Sequence, residues 1–355
     1  MIDRQLTLTS VPSVLPTALQ SRFIRNTWMV TAKQPLMLSD RSSVRYFALN
    51  EANNLVRTLR RYNMPARVPY PNNFYIDRVL ELANGTVIEV LREGNPPAIR
   101  VEAAHVADLI EMLVLLSSTF DFSRIEFLKK VGIHSKRRNE VDIIIGPQNQ
   151  GVSSRSKGTR KYGGVIIDAR FTNRFENYGF GELYDYCRFG GDLSKRLTES
   201  ATWLFESRME PSEHAAVLKT SIALETLLIF ADSEPLGRCL AERLAFILSS
   251  DPEVRQQLGN IVLKFYDTRS AIVHGHRKKP ASTSISESLD QLLILTYLTV
   301  SYNKDMWGSI QQFRAWLDAQ RWGLNDQDVR RPFPAKSLKN AMAIAPVAAI
   351  RSNVG

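Results

Sequence analysis

The second half of the chain is a run of helix-forming segments, and this run restricts the possible folds more than any other feature. From Asp192 onward, apolar residues recur at helical spacing and the breaks between segments are short. Residues 289–300 are apolar nearly all round, which is typical of a helix buried on every side. Because short connections make neighbouring helices antiparallel, the sequence predicts an antiparallel helical bundle over residues 190–323. The predicted helices are 192–206 (with Trp203 facing inward), 212–231, 235–248, 251–275, 284–300 and 309–323.

The first half of the chain alternates between strand-like and helix-like patterns. Its β-branched and alternating runs predict strands, and Asn84-Gly85 predicts a hairpin turn. Residues 1–40 are expected to be extended and irregular, because prolines interrupt them. The predicted strands are 74–82, 87–91, 141–145 and 165–169, and the predicted helices are 50–62 and 105–118. The sequence thus predicts an α+β chain: a mixed α/β domain over 1–180, a join at 179–191, the bundle, and a loosely held tail at 332–355.

A polar, glycine- and serine-rich segment separates two of the predicted strands. Residues 148–164 contain almost no apolar side chain, so they are expected to form an exposed, mobile loop. Four of these residues are basic, and they either contact a phosphate backbone or are simply solvated. The basic residues are Arg155, Lys157, Arg160 and Lys161.

The composition is that of a soluble basic protein. The 355 residues contain 46 Lys and Arg against 36 Asp and Glu, and the net charge of +10 favours a polyanionic partner such as nucleic acid. Cys187 and Cys239 lie far apart and have no zinc-binding spacing, so a reducing cytoplasm is the expected location. We find no signal peptide, and the longest apolar runs, 109–116 and 292–300, are too short to span a membrane.

One predicted helix carries a charge on its apolar face. Asp251 is a good N-cap and Gly275 a good C-terminal stop for a helix between them. Arg269 falls on the same stripe as the apolar residues, where a charge is costly unless it is paired or lies in a groove. The apolar residues of the stripe are Leu258, Ile261, Val262, Phe265 and Ile272.

Arg269 and His274 are separated by four residues, a spacing that matches the R-x(4–6)-H signature of HEPN domains. The surrounding sequence resembles the Apea-like HEPN branch, and the resemblance covers roughly residues 190–322. The residues that carry it are Tyr266-x-x-Arg269-Ser270-x-Ile272-Val273-His274-Gly275, with Ala223-Leu224-Glu225-x-Leu227-Leu228 and Leu240-Ala241-Glu242-Arg243-Leu244 upstream.

The resemblance implies a metal-independent endoribonuclease with no cofactor. The family's sites are usually completed by a second copy of the chain, so a homodimer or higher homo-oligomer is expected. Arg269 and His274 would be the catalytic pair, with Ser270 and Glu225 as auxiliary residues. By analogy with the family, the chain would act in prokaryotic anti-phage defence or as part of a toxin–antitoxin system. A phage-derived trigger or an antitoxin would then be a partner, and residues 1–180 would sense the trigger or restrain the nuclease.

The chemistry of RNA cleavage suits these residue types. The RNA 2′-hydroxyl is the nucleophile, so the enzyme must take up one proton and deliver another to the leaving oxygen. A histidine such as His274 can exchange protons near neutral pH, and a guanidinium such as that of Arg269 can donate two parallel hydrogen bonds to a phosphate. A basic cluster directly after the pair either holds RNA or is solvated. The cluster is His276, Arg277, Lys278 and Lys279.

Other interpretations of the same residues remain open. Arg269 could be a structural partner of Glu225 or Glu242, and His274 could be a helix-capping residue. Positions five apart on an unbroken helix differ by about 140°, so the pair converges only across a wide groove or where the helix loosens. His274 and His276 have no further ligands near them, so no metal site is expected. The chain could also be a catalytically inactive HEPN-like module that binds nucleic acid or protein, or a DNA-associated protein that dimerises through the bundle.

Overall fold

The computed structural model describes residues 20–27, 30–39, 42–47, 49–61, 85–93, 96–121, 126, 138–145, 150–157, 165–231, 235–275 and 283–322. Helical residues outnumber strand residues in this part of the chain, and most of the strands form one antiparallel sheet. The fold class is therefore α+β, as the sequence predicts. The predicted strand at 74–82 and the tail at 332–355 lie outside the described residues.

The first half of the chain is built around a six-stranded sheet. The strands of this sheet are β1 (Gln20–Thr27), β3 (Leu36–Ser39), β4 (Ser42–Phe47), β5 (Gly85–Glu93), β6 (Arg138–Ile145) and β7 (Gln150–Lys157). Their order is β3-β4-β5-β1-β6-β7, and every neighbouring pair is antiparallel. In the centre, Phe23 lies opposite Val90 and both are fully buried. The short strands β2 (Val30–Ala32) and β8 (Val165–Ile167) pair in parallel beside this sheet.

Two predictions about the first half are wrong. Residues 1–40 were expected to be irregular, yet 20–27, 30–32 and 36–39 form paired strands. The expected loop at 148–164 contains β7 at residues 150–157, which pairs along its whole length with β6. The physical reason is that an edge strand is held by backbone hydrogen bonds to its neighbour, which a polar side-chain pattern does not report.

Two helices accompany the sheet. α1 (Leu49–Arg61) confirms the helix predicted at 50–62, and α2 (Pro96–Ser117) extends the one predicted at 105–118. The Arg25 guanidinium of β1 donates to the Asp108 carboxylate of α2 at 2.6 Å, which ties the helix to the sheet. Among the described residues, the segment Arg100–Phe120 has the length and hydropathy of a membrane span, but 67% of its apolar window is buried in the protein. Such burial is typical of a core helix, and a cytoplasmic location stays a prediction.

The second half of the described chain is helical. α3 (Ala169–Asn177) and α4 (Phe180–Phe189) lead into α5 (Asp192–Met209), α6 (Glu213–Leu228), α7 (Leu236–Leu248), α8 (Pro252–Val273), α9 (Thr283–Tyr302) and α10 (Ile310–Arg321). The bounds of α5 to α10 confirm the six predicted helices to within a few residues. The sequence pattern does not predict α3 or α4, and α4 lies within the predicted join at 179–191. The inward position predicted for Trp203 is wrong: its side chain is at the surface because it lies about 100° around α5 from the buried Leu204.

The apolar core is continuous from the sheet to the helices. Buried side chains of β1, β4, β5 and α2 belong to the same packed cluster as those of α4 to α10. α9 is buried from residue 288 to residue 301, as its pattern of apolar residues nearly all round predicts. A buried hydrogen bond of 3.1 Å from Gln291 of α9 to the Thr119 carbonyl links the two halves. The division into domains at 180–190 stays a prediction.

Candidate functional site

The site is built on α8, whose ends follow from local sequence. The Asp251 carboxylate accepts hydrogen bonds from the backbone N–H groups of Glu253 and Val254, at 2.8 and 3.2 Å, and Pro252 occupies the first turn. At the other end, Gly275 adopts a left-handed φ of 74°, which terminates the helix. Both boundaries are those that the sequence predicts.

Arg269 lies where α8 leaves the core. The apolar stripe is buried through Phe265, residues 266–272 are half-buried except for the exposed Asp267, and residues 273–275 are exposed. The Arg269 side chain retains 26% of its exposure, so its charge lies at the boundary of the core and is partly hydrated. The sequence therefore predicts the correct helix face for Arg269, but the side chain is less buried than a position on the apolar stripe implies.

Glu225 is the acidic partner of Arg269. Its Oε1 atom lies 3.6 Å from Arg269 Nη2. Glu225 is in the last turn of α6, where the negative end of the helix dipole disfavours a carboxylate. A nearby cation such as Arg269 offsets both the carboxylate charge and the negative end of the dipole. The other candidate, Glu242, pairs with Arg238 and Arg321, at 2.9 and 3.5 Å. The structure thus decides between two acidic partners that the sequence left open.

Tyr266 completes this cluster, although no catalytic or binding role for it is predicted from the sequence. Its hydroxyl donates to the same Glu225 Oε1 atom at 2.5 Å, and the Arg269 guanidinium carbon lies 5.4 Å from the centre of its ring. Burial raises the pKa of the Tyr266 hydroxyl, and the Glu225 carboxylate raises it further, whereas the Arg269 charge opposes the shift. The signal in the sequence is the three-residue spacing from Tyr266 to Arg269, which places both on one helix face.

His274 lies at the C-cap of α8. Its backbone N–H donates to the Ser270 carbonyl at 3.0 Å, and its side chain is exposed. Within the part of the chain that the structure describes, the His274 imidazole forms no hydrogen bond or ion pair with Arg269 or any other residue. Five helical residues advance about 7.5 Å along the axis. Within one copy of the chain, the Arg269 guanidinium and the His274 imidazole are therefore apart. Ser270 is half-buried in the last turn between them.

His276, Arg277, Lys278 and Lys279 lie outside the described residues. No group of three or more His, Cys, Asp or Glu residues with metal-binding geometry occurs in the described ranges.

The Arg269 guanidinium has donors to spare. Its Nε–H is buried and has no hydrogen-bond partner among the described residues. Its contact with Glu225, at 3.6 Å, is longer than the roughly 2.7–2.9 Å of a direct charge-assisted hydrogen bond. A guanidinium that is partly exposed and only loosely paired can bind an oxyanion.

Fold and site together define an α+β protein whose helical half carries a Tyr266–Glu225–Arg269 cluster, with an exposed His274 at the end of the same helix. Comparisons with protein-family models, with curated proteins and with solved structures found no match.

Proposed function

We propose that the chain is a metal-independent endoribonuclease whose helical half is a HEPN-like bundle. The observation that supports the proposal best is the partly exposed Arg269 guanidinium, whose Nε–H has no hydrogen-bond partner among the described residues, on the same helix end as the exposed His274. The first group suits the binding of a phosphate and the second suits the transfer of protons.

In the proposed reaction the RNA 2′-oxygen attacks the adjacent phosphorus and the bond from phosphorus to the 5′-oxygen breaks. The 2′-hydroxyl proton passes to a neutral imidazole, and a protonated imidazole delivers a proton to the leaving 5′-oxygen. Arg269 donates to the non-bridging oxygens, where negative charge accumulates in the transition state. The products are a 2′,3′-cyclic phosphate and a 5′-hydroxyl.

A homodimer or higher homo-oligomer would supply what one copy lacks. Within one chain the two groups are separated along α8, and a second copy can bring its own Arg269 and His274 to the same groove. Two imidazoles would then serve as base and acid. Ser270 would be an auxiliary polar group, and the basic run at 276–279 would hold the RNA backbone. A structure of the oligomer would test this arrangement directly, because it would show where the two Arg269–His274 pairs lie relative to each other.

The biological setting we propose is prokaryotic: anti-phage defence or a toxin–antitoxin system in the cytoplasm. A phage-derived trigger or an antitoxin would control the nuclease through residues 1–180. This part of the proposal rests on the family resemblance alone.

The first test is cleavage of single-stranded RNA by the purified full chain in the presence of EDTA. We expect cleavage to persist, because no step requires a metal. Loss of all cleavage on chelation would refute the proposed mechanism.

A second candidate is a catalytically inactive HEPN-like module that binds nucleic acid or protein. The observation that favours it is that Arg269 already has Glu225 and Tyr266 as partners. The His274 imidazole makes no hydrogen bond or ion pair with these residues in the described part of the chain. RNA binding without cleavage under any trigger supports this candidate. Tighter binding to duplex DNA than to RNA, compared at several salt concentrations, would instead indicate a DNA-associated protein.

A further inference from the structure

The Glu225 Oε1 atom is shared by two donors, and the sharing is unequal. The Tyr266 hydroxyl lies 2.5 Å from it, whereas Arg269 Nη2 lies 3.6 Å away. The hydroxyl thus makes the direct hydrogen bond, and the guanidinium makes only a loose ion pair.

We propose that Tyr266 is a positioning residue that holds the Glu225 carboxylate back from Arg269 and so keeps the guanidinium available for a phosphate oxyanion. The proposal rests on the proposed function in one respect, which is that the oxyanion would be the scissile phosphate of RNA. The anion-binding property itself does not depend on cleavage.

The Tyr266 ring is well placed to keep its hydroxyl in position. One side of the ring lies near the Arg269 guanidinium. The start of α7 approaches the ring as well: a Cβ atom added to Gly237 would lie 3.5 Å from a Tyr266 ring carbon. A ring that is packed in this way cannot follow Glu225, so the carboxylate stays where the hydroxyl binds it.

Removal of the hydroxyl should change the partner of Glu225. Tyr266 and Arg269 are the side chains that contact the Glu225 carboxylate in the described part of the chain. Without the hydroxyl, the carboxylate is expected to close on Arg269 and form a bidentate pair, because that geometry is the strongest available to the two groups. The pair would occupy the donors that an incoming phosphate needs and would cancel their charge.

The experiment measures the binding of inorganic phosphate to the full chain at low ionic strength, followed through the Arg269 Nε–H resonance. We expect Tyr266→Phe to weaken phosphate binding by roughly tenfold, the effect of one charge-assisted hydrogen bond. The double variant Tyr266→Phe/Glu225→Gln should restore the affinity, because an amide carries no charge to cancel that of Arg269. Glu225→Gln alone should bind phosphate at least as tightly as the unaltered chain.

Tyr184→Phe is the matched control. Its hydroxyl also has two polar partners, Ser42 and Arg188, at 3.0 and 3.1 Å, but they lie on β4 and α4. Its removal should leave phosphate binding unchanged. If Tyr266→Phe fails to fold, Glu225→Gln alone decides, and weaker phosphate binding by that variant overturns the proposal.

The outcomes separate this inference from the proposed function. Unchanged phosphate binding by Tyr266→Phe, or a loss that Glu225→Gln does not restore, overturns the positioning role. The expected pattern of phosphate affinities with no RNA cleavage by any variant supports the positioning role and counts against the ribonuclease. Cleavage that falls and recovers with the phosphate affinity supports both.

Discussion

At the scale of single residues, the arginines of the helical half have different roles that their sequence positions do not reveal. Arg196 and Arg243 donate to carbonyls at the C-terminus of α6, and both contact the Phe230 ring. Arg208 is buried beside Asp290. Arg269 differs because its side chain is only partly buried and its carboxylate partner is bound more closely by a tyrosine. This difference makes Arg269 the candidate for binding a ligand.

His274→Ala tests the proton-transfer role. Because the side chain is exposed and has no polar partner among the described residues, we expect an unchanged melting temperature. RNA cleavage should fall by roughly 100-fold or more, the usual contribution of general acid–base catalysis. His214→Ala is the control, since His214 is also an exposed helical histidine. Equal cleavage by the two variants would refute the role of His274.

Arg269→Ala tests the phosphate contact. We expect cleavage to fall by about 100- to 1000-fold, because the transition state loses a fixed positive charge. The cost in unfolding free energy should be no more than about 1 kcal/mol, because the ion pair with Glu225 is long and partly exposed. Arg314→Ala removes the exposed pair with Asp318 and serves as control. Cleavage and urea denaturation are measured on both, and a large stability loss with normal cleavage would indicate a purely structural Arg269.

At the scale of helices, a buried polar set joins α5, α6 and α9. The Arg208 Nη1 atom lies 3.4 Å from Asp290 Oδ2, and each side chain is only 2% exposed. Thr220 of α6 donates to Asp290 Oδ1 at 3.2 Å, and the Ser207 and Thr220 hydroxyls are 2.7 Å apart. Charges buried to this degree are stable only when they are paired, so this set specifies how the three helices pack.

Asp290→Ala should therefore destabilise the fold strongly. Loss of the carboxylate removes the negative charge that offsets the buried Arg208 charge, and breaking a buried ion pair typically costs about 3–5 kcal/mol. Asp318→Ala breaks the exposed pair with Arg314 and should cost less than about 1 kcal/mol. Urea unfolding followed by circular dichroism gives both free energies. Similar losses for the two variants would show that the buried set does not hold the helices together.

At the scale of the whole molecule, buried tyrosines make stability depend on alkaline pH. Burial raises the pKa of Tyr297, and the negative charge of Asp290 acts in the same direction. Burial likewise raises the pKa of Tyr186 and Tyr266. The folded state thus favours the neutral phenol. The stabilisation is fully present below the unfolded tyrosine pKa of about 10, and it is lost as the pH rises above that value.

The melting temperature should consequently fall as the pH is raised from about 8 to about 11. Tyr297→Phe removes one of these groups from the titration, so its melting temperature should fall less steeply over the same range. The variant at neutral pH controls for the loss of the hydrogen bond between Ser200 and Tyr297. Parallel curves for the two proteins would show that Tyr297 does not contribute.

The sequence by itself determined the α+β class and, from Asp192 onward, the helix boundaries of the second half. Caps such as Asp251, the stop at Gly275 and the apolar period are local, and local interactions suffice to begin and end a helix. The strand β7 was not predicted, because its pairing with β6 depends on backbone hydrogen bonds rather than on the side-chain pattern.

Only the tertiary structure decided which groups meet Arg269. Glu225 and Glu242 were equal candidates in the sequence, and the packing of α6 against α8 selected Glu225. The same packing brought the Tyr266 hydroxyl to that carboxylate. Contacts between residues some forty positions apart depend on how helices cross, and helix crossing is set by the shape of the whole core rather than by any short stretch of sequence.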